Sequence, residues 1–325
     1  MNEIPPPPPF AFKDRKTSLT VFGVLTVLFG LLCALFTILL LGQAMAVQPT
    51  PIHQGALWMP CFLYAGLAVT LVWLGIGSIM ARRWARALLV LFAWGALITG
   101  LGAMVSLALM SGKILADFQA VQPPGATPLP ESAKTTILVI MGGFFAVIFV
   151  LLPATWAFFY SRSSVKATCE ARDPWERWTD RCPLPVLAAV LFSLFGAASM
   201  LITAFGFHGA IPVFGVYLTG LPGILLYVVW AAVWAYCARA LYRLDSLGWW
   251  LCVAILCVAA LSAALTYHQQ GVMEFYRLAG YSTEELARLQ QLPFFTDNNA
   301  VWFILASSVP WLGYLLFLKR YFRRS

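Results

Sequence analysis

Apolar residues in this chain gather in long unbroken runs, without the alternation of a half-exposed strand or the three-to-four spacing of a surface helix. Eight runs stand out: Ser18–Leu41, Ala56–Ala81, Ala87–Leu109, Thr135–Tyr160, Leu184–Phe207, Val213–Ala238, Gly248–Tyr267 and Ala300–Leu318. A helix rising about 1.5 Å per residue crosses a bilayer core of about 30 Å in roughly 20 residues, and every run meets that length. No Asp, Glu, Lys, Arg, His, Asn or Gln lies within these limits. The pattern predicts an all-α integral membrane protein with eight transmembrane helices.

An apolar fraction of 61%, 10% charged residues and a mean hydropathy of +0.81 agree with that class. The 325 residues accommodate eight spans with short connections and no separate extramembrane domain. A net charge of +8 would suggest nucleic acid in a soluble protein. Here the basic residues flank the spans, where they set orientation, and no nucleic-acid partner is expected. One side collects Lys13, Arg15, Lys16, Arg82, Arg83, Arg86, Arg162, Lys166, Arg172, Arg177, Arg181, Arg239, Arg243, Lys319, Arg320, Arg323 and Arg324. The other holds only Lys113, Lys134, Arg277 and Arg288, a split of 17 to 4. The positive-inside rule then places both termini in the cytoplasm of a bacterial-type plasma membrane. Ser18–Leu41 is too long for the apolar core of a cleaved signal and reads as an anchor, preceded by the Pro5–Pro9 polyproline spacer.

The halves resemble each other. At a separation of 157 residues Val72-Trp73 meets Val229-Trp230, Gly66 meets Gly223, Ala81-Arg82 meets Ala238-Arg239, Arg86 meets Arg243 and Pro153 meets Pro310. The first helices align at 166, where Leu28-Phe29-Gly30 meets Leu194-Phe195-Gly196. These coincidences predict a tandem duplication: a tail over 1–17, one four-helix repeat over 18–162, a cytoplasmic linker with a short interfacial helix over 163–183, and a second four-helix repeat over 184–325. Four is an even number, so both repeats have the same orientation and their pseudo-twofold axis runs along the membrane normal. Small residues such as Ala96-x-x-x-Gly100 are expected to bring helices close, and Pro153, Pro222 and Pro310 to kink theirs.

Chemistry is sparse. The chain has no phosphate-cradling glycine loop, no G-x-G-x-x-G, no H-E-x-x-H and no C-x-x-C, so no nucleotide or other cofactor is expected. Spans free of ionisable groups argue against proton-coupled transport, which keeps such groups in the membrane for its work. His53, His208 and His268 all fall just beyond span ends on the less basic side; gathered together they would be weak metal candidates, but no pair has i, i+4 spacing. Cys169 and Cys182 share a cytoplasmic loop with no histidine nearby, which argues against zinc.

That loop, Ser161–Pro183, carries the most information outside the spans. Asp173-Pro174-Trp175-Glu176 reads as a helix start, with Asp173 as N-cap, Pro174 in the first position and Glu176 in the third. The short turn would present Trp175 and Trp178 to lipid headgroups or to a protein partner, beside Arg181. On the opposite side, Ser111–Lys134 should be irregular, and Ser282-Thr283-Glu284-Glu285 should open an amphipathic helix with a capping box. The functional expectation is a non-enzymatic role in binding, scaffolding or assembly. The alternative is a carrier of an apolar or zwitterionic solute with a path between the repeats.

Overall fold

Eight helices are long and apolar enough to cross a membrane among the residues that the computed structural model describes, 13–46, 51–120, 130–290 and 297–322. The chain is a multi-pass helical membrane protein. Its helices are α1 (Lys16–Ala46), α2 (Pro51–Ile79), α3 (Arg83–Ala120), α4 (Glu131–Ala146), α5 (Leu152–Ser161), α6 (Ser163–Arg172), α7 (Leu184–Gly206), α8 (Gly220–Tyr242), α9 (Ser246–Gln270), α10 (Val272–Leu278), α11 (Thr283–Gln290) and α12 (Asp297–Leu318). The Pro5–Pro9 run lies outside the described residues. Two compact units form, one from the described residues up to Phe36 with Tyr64–Asp180, the other from Thr37–Leu63 with the described residues from Arg181 onward.

In the first unit, glycine sets how closely α1 and α2 approach. A Cβ on Gly23 would lie 2.9 Å from the Gly75 carbonyl oxygen, and one on Gly30 would lie 2.9 Å from the Val72 nitrogen. Such spacing is closed to any larger residue, and it replaces hydrophobicity as the packing device where lipid is as apolar as leucine. Near the basic ends the helices are tied by hydroxyls. Ser78 donates to the Leu19 carbonyl at 3.0 Å, so Tyr160 must be the donor in its 2.6 Å bond to Ser78. Trp156 donates to Thr26 at 3.1 Å, and Phe22 stacks on Phe159 with ring centroids 3.9 Å apart.

The fourth span is broken rather than merely kinked. A π-turn over Val147–Leu151 joins α4 to α5 just ahead of Pro153. Leu152 N–H reaches back five residues to the Val147 carbonyl, and Pro153 after it has no N–H to give. The carbonyl of Phe149, within this turn, is the group a Cβ on Gly100 would strike. Gly100 thus admits that carbonyl to the α3 backbone, a closer role than the small-residue spacing alone implied.

The second unit corrects one span. The residues from Val213 do not begin a helix: Ile211–Val213 (β1) and Val216–Leu218 (β2) pair antiparallel, and α8 starts at Gly220. Phe214 and Gly215 form the two-residue turn, with φ of 41° and 99°, the left-handed pair that a tight hairpin requires. The turn docks on α9, where Phe214 N–H donates to Ser262 Oγ at 3.0 Å and Gly215 N–H to Thr266 Oγ1 at 2.9 Å. Tyr227 donates to the Ala210 carbonyl and Tyr217 to that of Gly271. Protein groups thus satisfy this non-helical backbone.

The α2–α3 and α8–α9 turns use one device. In each, a residue with positive φ (Ala81, 51°; Leu244, 59°) ends the first helix, and the next N–H reaches back five residues, from Arg82 to Gly77 and from Asp245 to Ala240. The paired helices then touch at Gly77 against Ala85 and at Gly248 against Ala240. The side chain one residue further along α3 or α9 ties that helix to its unit's last span: Arg86 Nε donates to the Tyr160 carbonyl at 3.0 Å, Trp249 Nε1 to that of Leu315 at 2.6 Å. The turns correspond at a separation of 163 residues rather than 157, so Arg82 and Arg239 occupy different places in them.

Of the two loop expectations, one changes and one holds. Residues 111–120, expected to be irregular, continue α3 to Ala120. The capping box forms as read: Ser282 N–H donates to Glu285 Oε2 at 2.8 Å and Glu285 N–H to Ser282 Oγ at 3.3 Å, opening α11. An additional helix, α10, precedes it.

Candidate functional site

The loop singled out in the sequence forms an ionic platform, which belongs to the first unit as far as Asp180. Its helix lies before Asp173, not after it: α6 ends at Arg172, Asp173 leaves helical geometry, and only a single 3-10 turn, Trp178–Asp180, follows. Pro174 and Glu176 therefore open no helix. Asp173 does cap one, but a different one. Its Oδ2 accepts the N–H of Arg83, the first residue of α3, at 3.3 Å. Oδ1 accepts from Arg177 at 2.7 Å and lies 3.6 Å from Arg82. The carboxylate is 1% exposed. A positive helix terminus and two guanidinium groups compensate its burial. Burial pushes this carboxyl up, but the Arg177 hydrogen bonds, the Arg83 N–H and the charges of Arg177 and Arg82 outweigh it and hold it below the ordinary value.

The platform extends to the N-terminal segment. Arg172 donates to Asp14 at 2.6 Å, Asp14 also accepts from Lys16 N–H at the start of α1, and Arg15 N–H donates to Thr168 on α6. Asp180 lies 3.3 Å from Arg83 Nε. Trp175 projects from this fixed base with 77% of its surface exposed, and Trp178 is also exposed. Arg181 is exposed and belongs to the second unit. Cys169 and Cys182 are buried, and burial pushes their thiols up to about 12 and about 11, so neither is a ready thiolate ligand.

His208 follows Phe207, the C-cap of α7, with a φ of 51°, and its Nδ1 lies 3.2 Å from the Ala279 carbonyl; His268 is exposed at the end of α9; the His53 side chain lies outside the described residues. Among the described residues no three His, Cys, Asp or Glu side chains come together in a way that would hold a metal ion.

A site not anticipated from the sequence lies inside the second unit. Its four long helices, α7, α8, α9 and α12, line a partly open cavity of about 250 Å³ in the half nearer the basic helix ends, with Phe192 and Trp311 exposed at its edge. Phe192, Trp234 and Trp311 supply aromatic walls, with Phe192 stacked on Trp311 at 4.0 Å; Ser193, Cys252, Ser307, Ser308 and Tyr314 supply the heteroatoms. No charged side chain lines it. The signal was present in α12, where Ser307, Ser308, Trp311, Tyr314 and Leu315 recur at helical spacing and so share a face. In the first unit, Phe22, Trp156 and Phe159 pack between the first and fourth spans near their basic ends.

Comparison of the chain with protein-family models, with curated proteins and with solved structures finds no match.

Proposed function

We propose that this protein is a non-enzymatic binding protein of the bacterial-type plasma membrane, built from two parallel four-helix repeats, whose second repeat holds a small neutral lipophile. The observation that carries the reading is the uncharged, aromatic-walled cavity within α7, α8, α9 and α12. Ligand pockets span roughly 300–1,000 Å³, so about 250 Å³ suits a small ring system or one end of a longer lipid, not a whole phospholipid. The carrier alternative draws on the same cavity, though it lies within one repeat and not on a path between the two. Duplication is supported by the matching turns and by the Arg86 and Trp249 ties to the last span of each unit.

Purified protein illuminated with a small diazirine-bearing naphthalene should be labelled on α7 or α12, and excess unlabelled naphthalene should compete. Replacing Phe192 by Ala widens the cavity and Gly196 by Leu crowds Trp234, and both variants should change the labelling yield. Labelling confined to lipid-facing residues and insensitive to competitor would overturn the reading.

Both termini and the platform are assigned to the cytoplasm from the 17-to-4 division of basic residues. There Trp175 and Trp178 would rest among lipid headgroups, with a protein partner on the same surface as the alternative occupant. A Trp175→Cys variant should react with an impermeant maleimide in inverted vesicles and not in spheroplasts, above the background of the parent. A fluorophore placed there should be quenched by headgroup-bound nitroxide lipid. Labelling from the spheroplast side would reverse the topology, and unquenched fluorescence would favour a protein partner.

A further inference from the structure

We infer that the cavity of the second unit selects lipophiles carrying a hydrogen-bond donor, a hydroxyl above all, a conclusion that rests on the proposed binding role and specifies its ligand. The protons of its hydroxyl groups are committed to backbone carbonyls. Ser193 donates to the Ala189 carbonyl at 2.8 Å, Ser308 to that of Ile304 at 2.8 Å and Ser307 to the same oxygen at 3.0 Å. Tyr314 donates across to the Pro185 carbonyl at 2.6 Å. A hydroxyl has one proton and two lone pairs, so each of these four groups has spent its proton on backbone and keeps acceptor capacity, which Ser193 shares with the neighbouring Cys252 thiol.

The consequence is an asymmetry of chemistry. No lysine, arginine or histidine lines the cavity, and nothing acidic does either. A charged ligand would enter without a counter-ion, at a cost several hydrogen bonds do not offset. A ligand bearing only a carbonyl would meet four oxygens that have no proton to give it. An alcohol or phenol supplies the missing proton, the one bond that a carbonyl compound or an ether of the same shape cannot make. Phe192 and Trp311, already stacked on each other, provide flat surfaces for a ring. The serines do not need the ligand to remain folded, because their protons stay satisfied when the cavity is empty.

The test uses two probes of one shape, 2-naphthol and 2-methoxynaphthalene, binding to the full-length protein in nanodiscs, with empty nanodiscs subtracted. The methyl ether is the more lipophilic of the two, so partitioning alone would favour it. Tighter binding of the naphthol, by about fivefold or more as one net hydrogen bond implies, is the expected result. Ser193→Ala and Ser308→Ala remove acceptors while leaving the helical backbone bonds intact; both should weaken naphthol binding and leave ether binding unchanged. Equal binding of the two probes, or naphthol binding unaffected in both variants, overturns the donor selectivity while the cavity reading stands. Failure of both probes to bind above the empty nanodisc overturns the cavity reading and this inference with it.

Discussion

Replacing Asp173 with Ala should cost the first unit about 3 kcal/mol, the low end of what breaking a buried ion pair costs, because Arg82 and Arg177 retain 36% and 35% exposure and can turn to water. The loss has two parts: Arg83 N–H at the start of α3 loses its acceptor, and two guanidinium groups lose their counter-charge. Asp173→Asn separates them. It keeps an oxygen for the N–H and removes the charge, so its effect should fall between those of the parent and Asp173→Ala. Unfolding by SDS titration in mixed micelles measures both, and an Asp173→Ala midpoint equal to the parent's would show that the carboxylate does not hold the platform. The same group makes the platform acid-sensitive. Its folded-state pKa lies below the ordinary 3.8, so its contribution is complete above that value and is lost as the pH falls through the depressed folded value. The Asp173→Ala protein should therefore lose less stability than the parent on acidification below about pH 4.

The second large effect should come from the hairpin. Ser262→Ala with Thr266→Val removes the two hydroxyls that accept Phe214 and Gly215 N–H. An unsatisfied buried donor costs about 1–3 kcal/mol, which gives roughly 2–6 kcal/mol for the pair. Thr266→Val alone should account for the larger share, since the Gly215 bond is buried and the Phe214 bond only partly so. The hairpin should then detach while α8 and α9 stay in place, seen as faster amide exchange over Ile211–Leu218 and chymotryptic cleavage after Phe214. Unchanged protection across that segment would refute the docking role.

These two sites also show where sequence reading succeeds and where it stops. The spans were legible because a membrane demands length and apolarity, both one-dimensional properties. Asp173 was legible as a capping residue, from its company of Pro174 and Glu176, but its target was not: the helix it caps begins 90 residues earlier, at Arg83. The hairpin was hidden by its own hydrophobicity. Ile211-Pro212-Val213 and Val216-Tyr217-Leu218, separated by Phe214-Gly215, carry a two-residue hairpin signal, but they adjoin an apolar helix and merge with it in any reading by hydropathy. The cavity was illegible for a different reason. One face of α12 announces serine and aromatic residues, yet whether a face is filled by neighbours depends on side chains from three other helices.

The two tight turns reach one geometry with their residues exchanged. Where α2 meets α3 the glycine is on the outgoing helix, at Gly77, facing Ala85; where α8 meets α9 it is on the returning helix, at Gly248, facing Ala240. Steric room at a crossing belongs to the pair of facing positions, and a missing methyl on either partner provides it. Drift can therefore pass the glycine from one helix to the other through an intermediate that carries it on both, with the approach never closed. An alignment scored letter by letter counts that exchange as two mismatches. Shared geometry of this kind is better sought by comparing facing pairs, in which the order of the two letters is allowed to reverse.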